Sequence, residues 1–160
     1  MRAVLVREFG GPEVLRLEDV PTPEPGPGEL VFRVHAVSVN RTLDLAVRAG
    51  EYGLAIRLPH ILGVDPSGVV TAVGDGVADR KPGDRVAAIP WRPATAGPLE
   101  SVGRQHPGGY AEFVKLPAAA TVLCPPDWTF QSPASSRGMR RKLSACCGTG
   151  RPCSRAKPCW

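Results

Sequence analysis

The stretch that decides the fold is Leu58-Pro-His-Ile-Leu-Gly-Val-Asp-Pro-Ser-Gly-Val-Val-Thr-Ala-Val-Gly-Asp-Gly-Val-Ala-Asp-Arg-Lys-Pro-Gly-Asp-Arg-Val86. The largely β-branched run Val69–Val73 predicts a strand, and Gly74-Asp75-Gly76 supplies residues that accept a turn at low steric cost. Lys81-Pro82-Gly83-Asp84 predicts a second turn, because Pro fixes φ at the first central position and Gly relieves the next. A further strand is expected from Val86 to Ile89. The stretch therefore predicts a strand, a turn and a second strand.

The composition indicates a mainly β protein. The 160 residues include 18 glycines and 18 prolines, which argues against long helices over much of the chain. No apolar run approaches the roughly 18 residues of a membrane-spanning helix. The first residues, Met1–Arg7, lack the apolar segment of a signal peptide. We therefore expect a cytoplasmic location and no contact with a membrane.

Charge and cysteine content divide the chain into two parts. Residues 1–126 carry 13 basic and 14 acidic side chains, a net charge of −1, whereas residues 127–160 carry seven basic side chains and one Asp, a net charge of +6. Four of the five cysteines lie in that tail, but an adjacent pair and the lack of His do not match zinc-site spacings. We expect a domain at 1–126 and a disordered basic tail at 127–160, whose composition is typical of a GC-rich gene read out of frame.

Other short elements follow from local patterns. Pro21–Gly28 predicts an extended connector, because several of its residues have no N–H for a sheet. Asn40–Gly50 is the best helix signal, with Asn40 as N-cap and Gly50 as the natural stop. Residues 90–107 are expected to form a loop. Further strands are expected at Ala3–Val6, Glu13–Glu18, Glu29–Asn40, Gly108–Pro117 and Thr121–Pro125.

Three phrases together carry a resemblance to a known family. They are Gly63-Val-Asp-Pro-Ser-Gly68, Lys81-Pro-Gly-Asp-Arg-Val86 and Gly108-Gly-Tyr-Ala-Glu-Phe113. In this order they resemble the N-terminal, GroES-like domain of the medium-chain dehydrogenase/reductase family. The resemblance covers about residues 1 to 130 and implies a partly open β-barrel with one or two short helices. Family members continue into a dinucleotide-binding (Rossmann) domain, whose fingerprint Gly148-Thr-Gly150 does not match, so we expect the chain to be truncated and inactive alone.

The resemblance also bears on the cofactor. Asn40, Val64 and Asp65 stand where zinc-dependent members have Cys, His and Glu, and a single carboxylate cannot hold catalytic zinc. The chain thus resembles the zinc-free quinone oxidoreductase branch, which moves a hydride from NADPH to a quinone or enone. This implies no zinc, NADPH bound only weakly by this chain alone, a small-molecule quinone or enone as partner, and a possible homodimer in the full-length family.

Within that branch, the phrase Asn-x-x-x-Asp-x-x-x-Arg-x-Gly-x-Tyr lines the cleft that faces the nicotinamide. By this resemblance Asn40, Thr42, Asp44 and Tyr52 are candidate catalytic residues, and Asn40 and Arg48 are candidate cofactor-binding residues. Asn40 and Thr42 would donate hydrogen bonds to a carbonyl oxygen on which charge develops. Tyr52 would cover the ring or donate a proton.

Plainer readings of the same residues remain open. Asn40 can act simply as an N-cap, and Asp44 and Arg48 can form an i, i+4 surface ion pair worth about 0.2–0.5 kcal/mol. Cys124 fits a buried core thiol. For the whole chain, one rival function is a non-catalytic GroES-like remnant that binds a partner or oligomerises. A basic-tailed nucleic-acid binder is a second rival, which the near-neutral charge of residues 1–126 disfavours.

Overall fold

The computed structural model describes residues 1–53, 55–90 and 100–130. Within these ranges the chain forms two antiparallel sheets and one α-helix, which confirms the mainly β, GroES-like fold. The strands are β1 Arg2–Val6, β2 Leu15–Asp19, β3 Glu29–Ala36, β4 His60–Ile61, β5 Ser67–Val73, β6 Arg85–Ala88, β7 Phe113–Pro117 and β8 Thr121–Leu123. The helix α1 spans Arg41–Ala49, and single turns of 3-10 helix lie at Pro12–Val14 and Ala118–Ala120.

Strand β3 is the centre of the larger sheet, whose order is β7-β3-β5-β6-β8. Phe32 on β3 faces Val70 on β5 and Val114 on β7, and such aromatic and β-branched cross-strand pairs stabilise a sheet. The fully buried Phe32 lies in the main core. That core comprises Leu30, Phe32, Val70, Val86, Ala88, Val102, Val114, Leu116, Ala118 and Ala120.

The smaller sheet has the order β2-β1-β4 and carries the helix. A second core of Val6, Val14, Val47 and Leu62 joins β1, the turn before β2, the helix and the segment after β4. The backbone N–H of Val4 donates to the carbonyl of Tyr110 over 2.8 Å, which ties this sheet to the chain entering β7.

The glycines between β5 and β6 act in two different ways. Gly76 and Gly83 have φ of 80° and 94°, as the two predicted turns require. At Gly74 a Cβ would lie only 1.9 Å from the carbonyl oxygen of Gly26, so this position needs Gly because another backbone passes too close. The same reason holds at Gly68, where a Cβ would lie 1.8 Å from the oxygen of Arg33.

Several boundaries differ from those expected. β7 begins at Phe113 rather than Gly108, because Gly108 and Gly109 donate their N–H groups to the carbonyls of Ile61 and Gly63 and not to a strand of the larger sheet. β3 ends at Ala36 and not at Asn40. The two-residue strand β4 was not expected, since His60–Ile61 is too short to show a period.

The last described residues pack against the larger sheet. Arg85 donates to the carbonyl oxygens of Pro126 and Trp128, and its guanidinium lies 4.4 Å from the ring centroid of Phe130. His35 stacks on the same ring at 4.5 Å. Part of the expected tail, 127–130, is described, whereas 131–160 lie outside the described residues. The boundary at 126 and the disorder and out-of-frame origin expected for 127–160 therefore stay predictions. Within the described ranges, no helix is long and apolar enough to cross a membrane.

Candidate active site at the start of helix α1

The helix begins with a reciprocal cap. The backbone N–H of Leu43 donates to Oδ1 of Asn40 over 3.1 Å, and the N–H of Asn40 donates to Oδ2 of Asp44 over 2.8 Å. Such a cap satisfies two N–H groups that the helix itself cannot. At the other end Gly50 adopts φ 77°, the left-handed conformation expected of a stop residue. The helix therefore forms where the sequence predicts it.

The cap fixes the orientation of the Asn40 side chain. Because Oδ1 must face the N–H of Leu43, the amide nitrogen Nδ2 points away from the helix end. Among the described residues Nδ2 has no acceptor, and the exposed Thr42 hydroxyl on the same turn also has no partner. The start of the helix thus carries two side-chain hydrogen-bond donors that have no acceptor among the described residues.

Asp44 is buried beneath this turn, with 7% of its surface exposed. Its Oδ2 also accepts a 2.7 Å hydrogen bond from the Tyr110 hydroxyl, whereas Oδ1 is buried with no hydrogen-bond partner in the described part of the chain. Burial, and then the bond to Asp44, raises the pKa of Tyr110 well above its usual range. Tyr110 therefore stays protonated and donates a hydrogen bond to the carboxylate of Asp44. The same carboxylate accepts a hydrogen bond from the backbone N–H of Asn40.

A further hydrogen bond lies between the segment before the helix and the segment before β5, and the Tyr110 hydroxyl lies 3.5 Å from the carbonyl oxygen of Ser38. The Ser38 hydroxyl donates to Oδ2 of Asp65 over 3.1 Å. Val64 beside it is buried at the edge of the core. Of the residues in the zinc-ligand positions of the family, Asn40 and Asp65 thus lie in hydrogen-bonded segments that flank Tyr110, and Val64 offers no donor atom. Across the described ranges, no group of three or more His, Cys, Asp or Glu side chains could hold a metal ion.

Arg48 points toward the connection between β1 and β2 and not toward Asp44. Its Nε donates to the carbonyl of Gly10 over 3.1 Å, and the N–H of Gly10 donates back to the Arg48 carbonyl over 3.1 Å. The i, i+4 ion pair with Asp44 is not among the salt bridges of the described residues. Arg48 therefore fastens the end of the helix to the smaller sheet, and its cofactor role stays a prediction.

Tyr52 lies three residues beyond the end of the helix and packs against the second core, as Tyr110 does. The guanidinium of Arg104 lies 4.8 Å from the centroid of the Tyr52 ring, a cation–π distance. The structure thus brings Asn40 and Asp44 into direct contact and joins Tyr52 to them through Tyr110 and the shared core. Sequence reasoning missed Arg104, which no motif marks, and Tyr110, which lies inside the quoted phrase Gly108–Phe113 but had no role assigned.

A separate cavity of about 640 Å³ lies near the N-terminus and β7. Its lining includes Met1, Glu29, His106 and Lys115. The acidic and basic side chains there already have partners, since Glu29 lies 3.2 Å from Lys115 and Glu100 lies 2.7 Å from His106. A ligand would have to compete with those pairs, so the donors at the start of α1 are the better candidate site.

Comparison with known proteins adds to this geometry. Residues 26–127 match the family model of the alcohol dehydrogenase GroES-like domain. A quinone oxidoreductase of Rattus norvegicus is 38% identical over 136 residues, which cover 84% of this chain and 37% of that protein. A solved NAD-dependent alcohol dehydrogenase is 40% identical with a TM-score of 0.77 over 84% of this chain and 42% of its own. A mycobacterial protein solved in complex with NADPH is 38% identical with a TM-score of 0.66 over 84% of this chain and 35% of its own.

Proposed function

The chain belongs to the medium-chain dehydrogenase/reductase family through its alcohol dehydrogenase GroES-like domain, and from this premise we propose that it forms the substrate side of an NADPH-dependent reductase of quinones or α,β-unsaturated carbonyls. The observation that carries the proposal is the capped Asn40, whose amide nitrogen has no acceptor among the described residues and which lies on the same helix turn as the exposed Thr42. The chain spans 37% of the length of the rat relative, so activity, substrate and cofactor are all part of the proposal. A cytoplasmic location and a homodimer of the full-length protein belong to it as well.

The donors at the start of α1 fit a carbonyl or carboxamide oxygen. Asn40 Nδ2 and the Thr42 hydroxyl both lack an acceptor among the described residues, and a carbonyl oxygen of a quinone or enone would supply one. When bound, NADPH supplies a hydride. The two donors would stabilise the negative charge that develops on the substrate oxygen during reduction, and fixed donors of this kind need no reorganisation as the charge appears.

Asp44 acts as a positioning residue in this proposal. It is buried and holds the Asn40 backbone N–H, while Tyr110 holds Asp44. Asp44 thus keeps the Asn40 amide in place without touching the substrate itself. We assign Tyr52 to cover the reacting ring or to donate a proton. Arg48 is assigned to bind the cofactor while its Nε also donates to the carbonyl of Gly10.

The proposed enzyme works without zinc. Support comes from the donor set at the family's zinc positions, since Asn40 uses Oδ1 in the cap, Val64 has no ligating atom and Asp65 accepts from Ser38. Metal analysis of the purified full chain, prepared without chelator, should find no stoichiometric zinc. One tightly held zinc per chain, retained after the four tail cysteines are changed to Ser, would contradict this part of the proposal.

A chimera tests the function directly. Residues 1–130 of this chain would replace the aligned part of the rat quinone oxidoreductase, and quinone-dependent NADPH oxidation would be measured. We expect saturable turnover in the chimera and none above background in the 160-residue chain alone, because positioning of the two reactants can be worth about 7–11 kcal/mol. Asn40→Ala should lower kcat about 10²–10³-fold, while Arg16→Gln, an exposed change on β2, should not.

Two outcomes would reject the proposal. A chimera that folds and binds NADPH but reduces no quinone or enone would favour the non-catalytic alternative, in which the domain serves binding or oligomerisation. An Asn40→Ala chimera with unchanged kcat would show that the outward amide has no part in the reaction.

A further inference from the structure

The half-buried cation Arg104 has no counter-charge among the described residues. Its Nε is shielded from solvent and has no hydrogen-bond partner among the described residues, and no salt bridge of those residues includes it. A shielded donor without an acceptor is costly, and the cost is greater when the donor carries a charge. The remaining contact, with the face of Tyr52 at 4.8 Å, attracts the guanidinium but accepts no conventional hydrogen bond.

The backbone next to Arg104 fixes this arrangement. Gly103 has φ 72°, and a Cβ there would lie 2.7 Å from the carbonyl oxygen of Gly63. The N–H of Gly103 also donates to the carbonyl of His106 over 2.8 Å. Backbone contacts with Gly63 and His106 thus fix the position of Gly103, which precedes Arg104. The path of the loop therefore helps to place the Arg104 guanidinium over Tyr52, in addition to the rotamer of its flexible side chain.

The surroundings define the chemistry of a ligand. Tyr52, Ile56 and Leu58 all pack against the second core around Leu62, so the ring beneath the guanidinium belongs to an aromatic and apolar cluster, which we call the wall. Its planar fork of N–H groups matches the two oxygens of a carboxylate or phosphate. A flat conjugated body would lie against the wall and place an anionic oxygen group on the fork.

We propose that Arg104 and Tyr52 form a binding site for an anionic oxygen group carried by a conjugated ligand. Only the identity of the ligand rests on the proposed function: the group is either a carboxylate on the enone or quinone substrate or the phosphate beside the nicotinamide. Arg104 is then a specificity-determining residue, which favours charged over neutral members of the substrate class.

The test uses the full chain and two matched pairs of probes. The first pair is trans-cinnamate and its neutral analogue trans-cinnamamide, and the second is nicotinamide mononucleotide and nicotinamide riboside, which lacks the phosphate. Binding is followed by ¹H–¹⁵N NMR at the Arg104 Nε–H signal and at backbone amides. In at least one pair we expect the member with the added anionic group to bind about tenfold or more tightly and to shift the Nε–H signal, which its partner should leave in place.

Variants identify the residue and the source of the anion. Arg104→Gln should abolish the preference, whereas Arg16→Gln, with the same loss of charge on β2, should retain it. A preference confined to cinnamate assigns the site to the substrate, and one confined to the mononucleotide assigns it to the cofactor. The absence of a preference in both pairs of probes, or an equal loss of the preference in both variants, would overturn the proposal.

Folding of the variant does not limit the test. If Arg104→Gln does not fold, the chemical shift of the Arg104 Nε–H in the unaltered chain still tests the proposal. A signal that does not change on addition of either cinnamate or the mononucleotide overturns it. The readout is binding without turnover, so its failure is separate from a failure of the chimera to reduce a quinone.

Discussion

Replacing Tyr110 with Phe tests the support beneath the candidate site. The change removes the hydroxyl that donates to Asp44 over 2.7 Å and keeps the ring in the second core. A hydrogen bond to a charged acceptor contributes about 1.5–3 kcal/mol, and because Tyr110 is only half-buried we expect the lower half of that range. For a folded unit of this size, that loss would lower Tm by roughly 5–12 °C.

The assay is urea unfolding followed by circular dichroism, with Tyr52→Phe as the matched control. The Tyr52 hydroxyl makes no hydrogen bond within the described ranges, so its removal should change the free energy of unfolding by less than about 0.5 kcal/mol. Equal losses in the two variants would show that the bond between Tyr110 and Asp44 does not support the helix start.

Tyr110→Phe should also change how the free energy of unfolding depends on pH. The pKa of Tyr110 is raised in the folded chain by burial and by Asp44. Below the unfolded pKa of about 10 both states are protonated, so the contribution to stability is fully present there. As pH rises above that value the unfolded chain loses the proton while the folded chain keeps it, and stability falls by at most about 1.4 kcal/mol per pH unit. Tyr110→Phe should lack this alkaline decline; a parallel decline in variant and parent would refute the reasoning.

Three further predictions concern the fold. Gly68→Ala should abolish soluble folded protein, because its Cβ would lie 1.8 Å from a backbone oxygen of β3. Gly76→Ala, at φ 80° with open space around the new Cβ, should lower the free energy of unfolding in urea by only about 1–2 kcal/mol. Comparable losses in the two variants would contradict the argument that another backbone passes too close to Gly68. Leu62→Ala should cost about 2–5 kcal/mol, and Leu17→Ala, at a site 67% exposed, should stay within about 0.5 kcal/mol; a small loss at Leu62 would mean that the second core can collapse. With the tail cysteines changed to Ser, the Cys124 thiol should react with Ellman's reagent only after denaturation, because burial shields it and raises its pKa; rapid reaction of the native chain would contradict its burial.

Elements whose signal is local could be predicted from the sequence. The helix follows from Asn40 and Gly50 because a cap and a stop depend on backbone geometry within one turn. The pairing of β5 with β6 follows from a β-branched run and two turns. The reason for Gly74 was not available, because its neighbour Gly26 belongs to a distant connector. A sequence pattern shows that a Gly is tolerated in a turn but not which backbone passes beside it.

The residues of the site were predictable only where they share the helix. Asp44 illustrates the limit: the i, i+4 spacing favours a surface pair with Arg48, yet the carboxylate is buried against a hydroxyl 66 positions along the chain. A buried carboxylate needs donors, and Tyr110 and the backbone of Asn40 supply them. Only the tertiary structure shows that pairing, so a helix-surface argument could not find it.

The backbone junction at Leu62 and Gly63 explains why these distant groups meet. Gly103 and Gly108 both approach it too closely for a Cβ, and the N–H of Tyr110 donates to the carbonyl of Leu62 over 2.9 Å. On one side the junction leads to Tyr110, which holds Asp44 and the cap of Asn40. On the other side it places Arg104 over Tyr52. A shift of this junction would therefore disturb both the support that Tyr110 and Asp44 give to Asn40 and the contact of Arg104 with Tyr52.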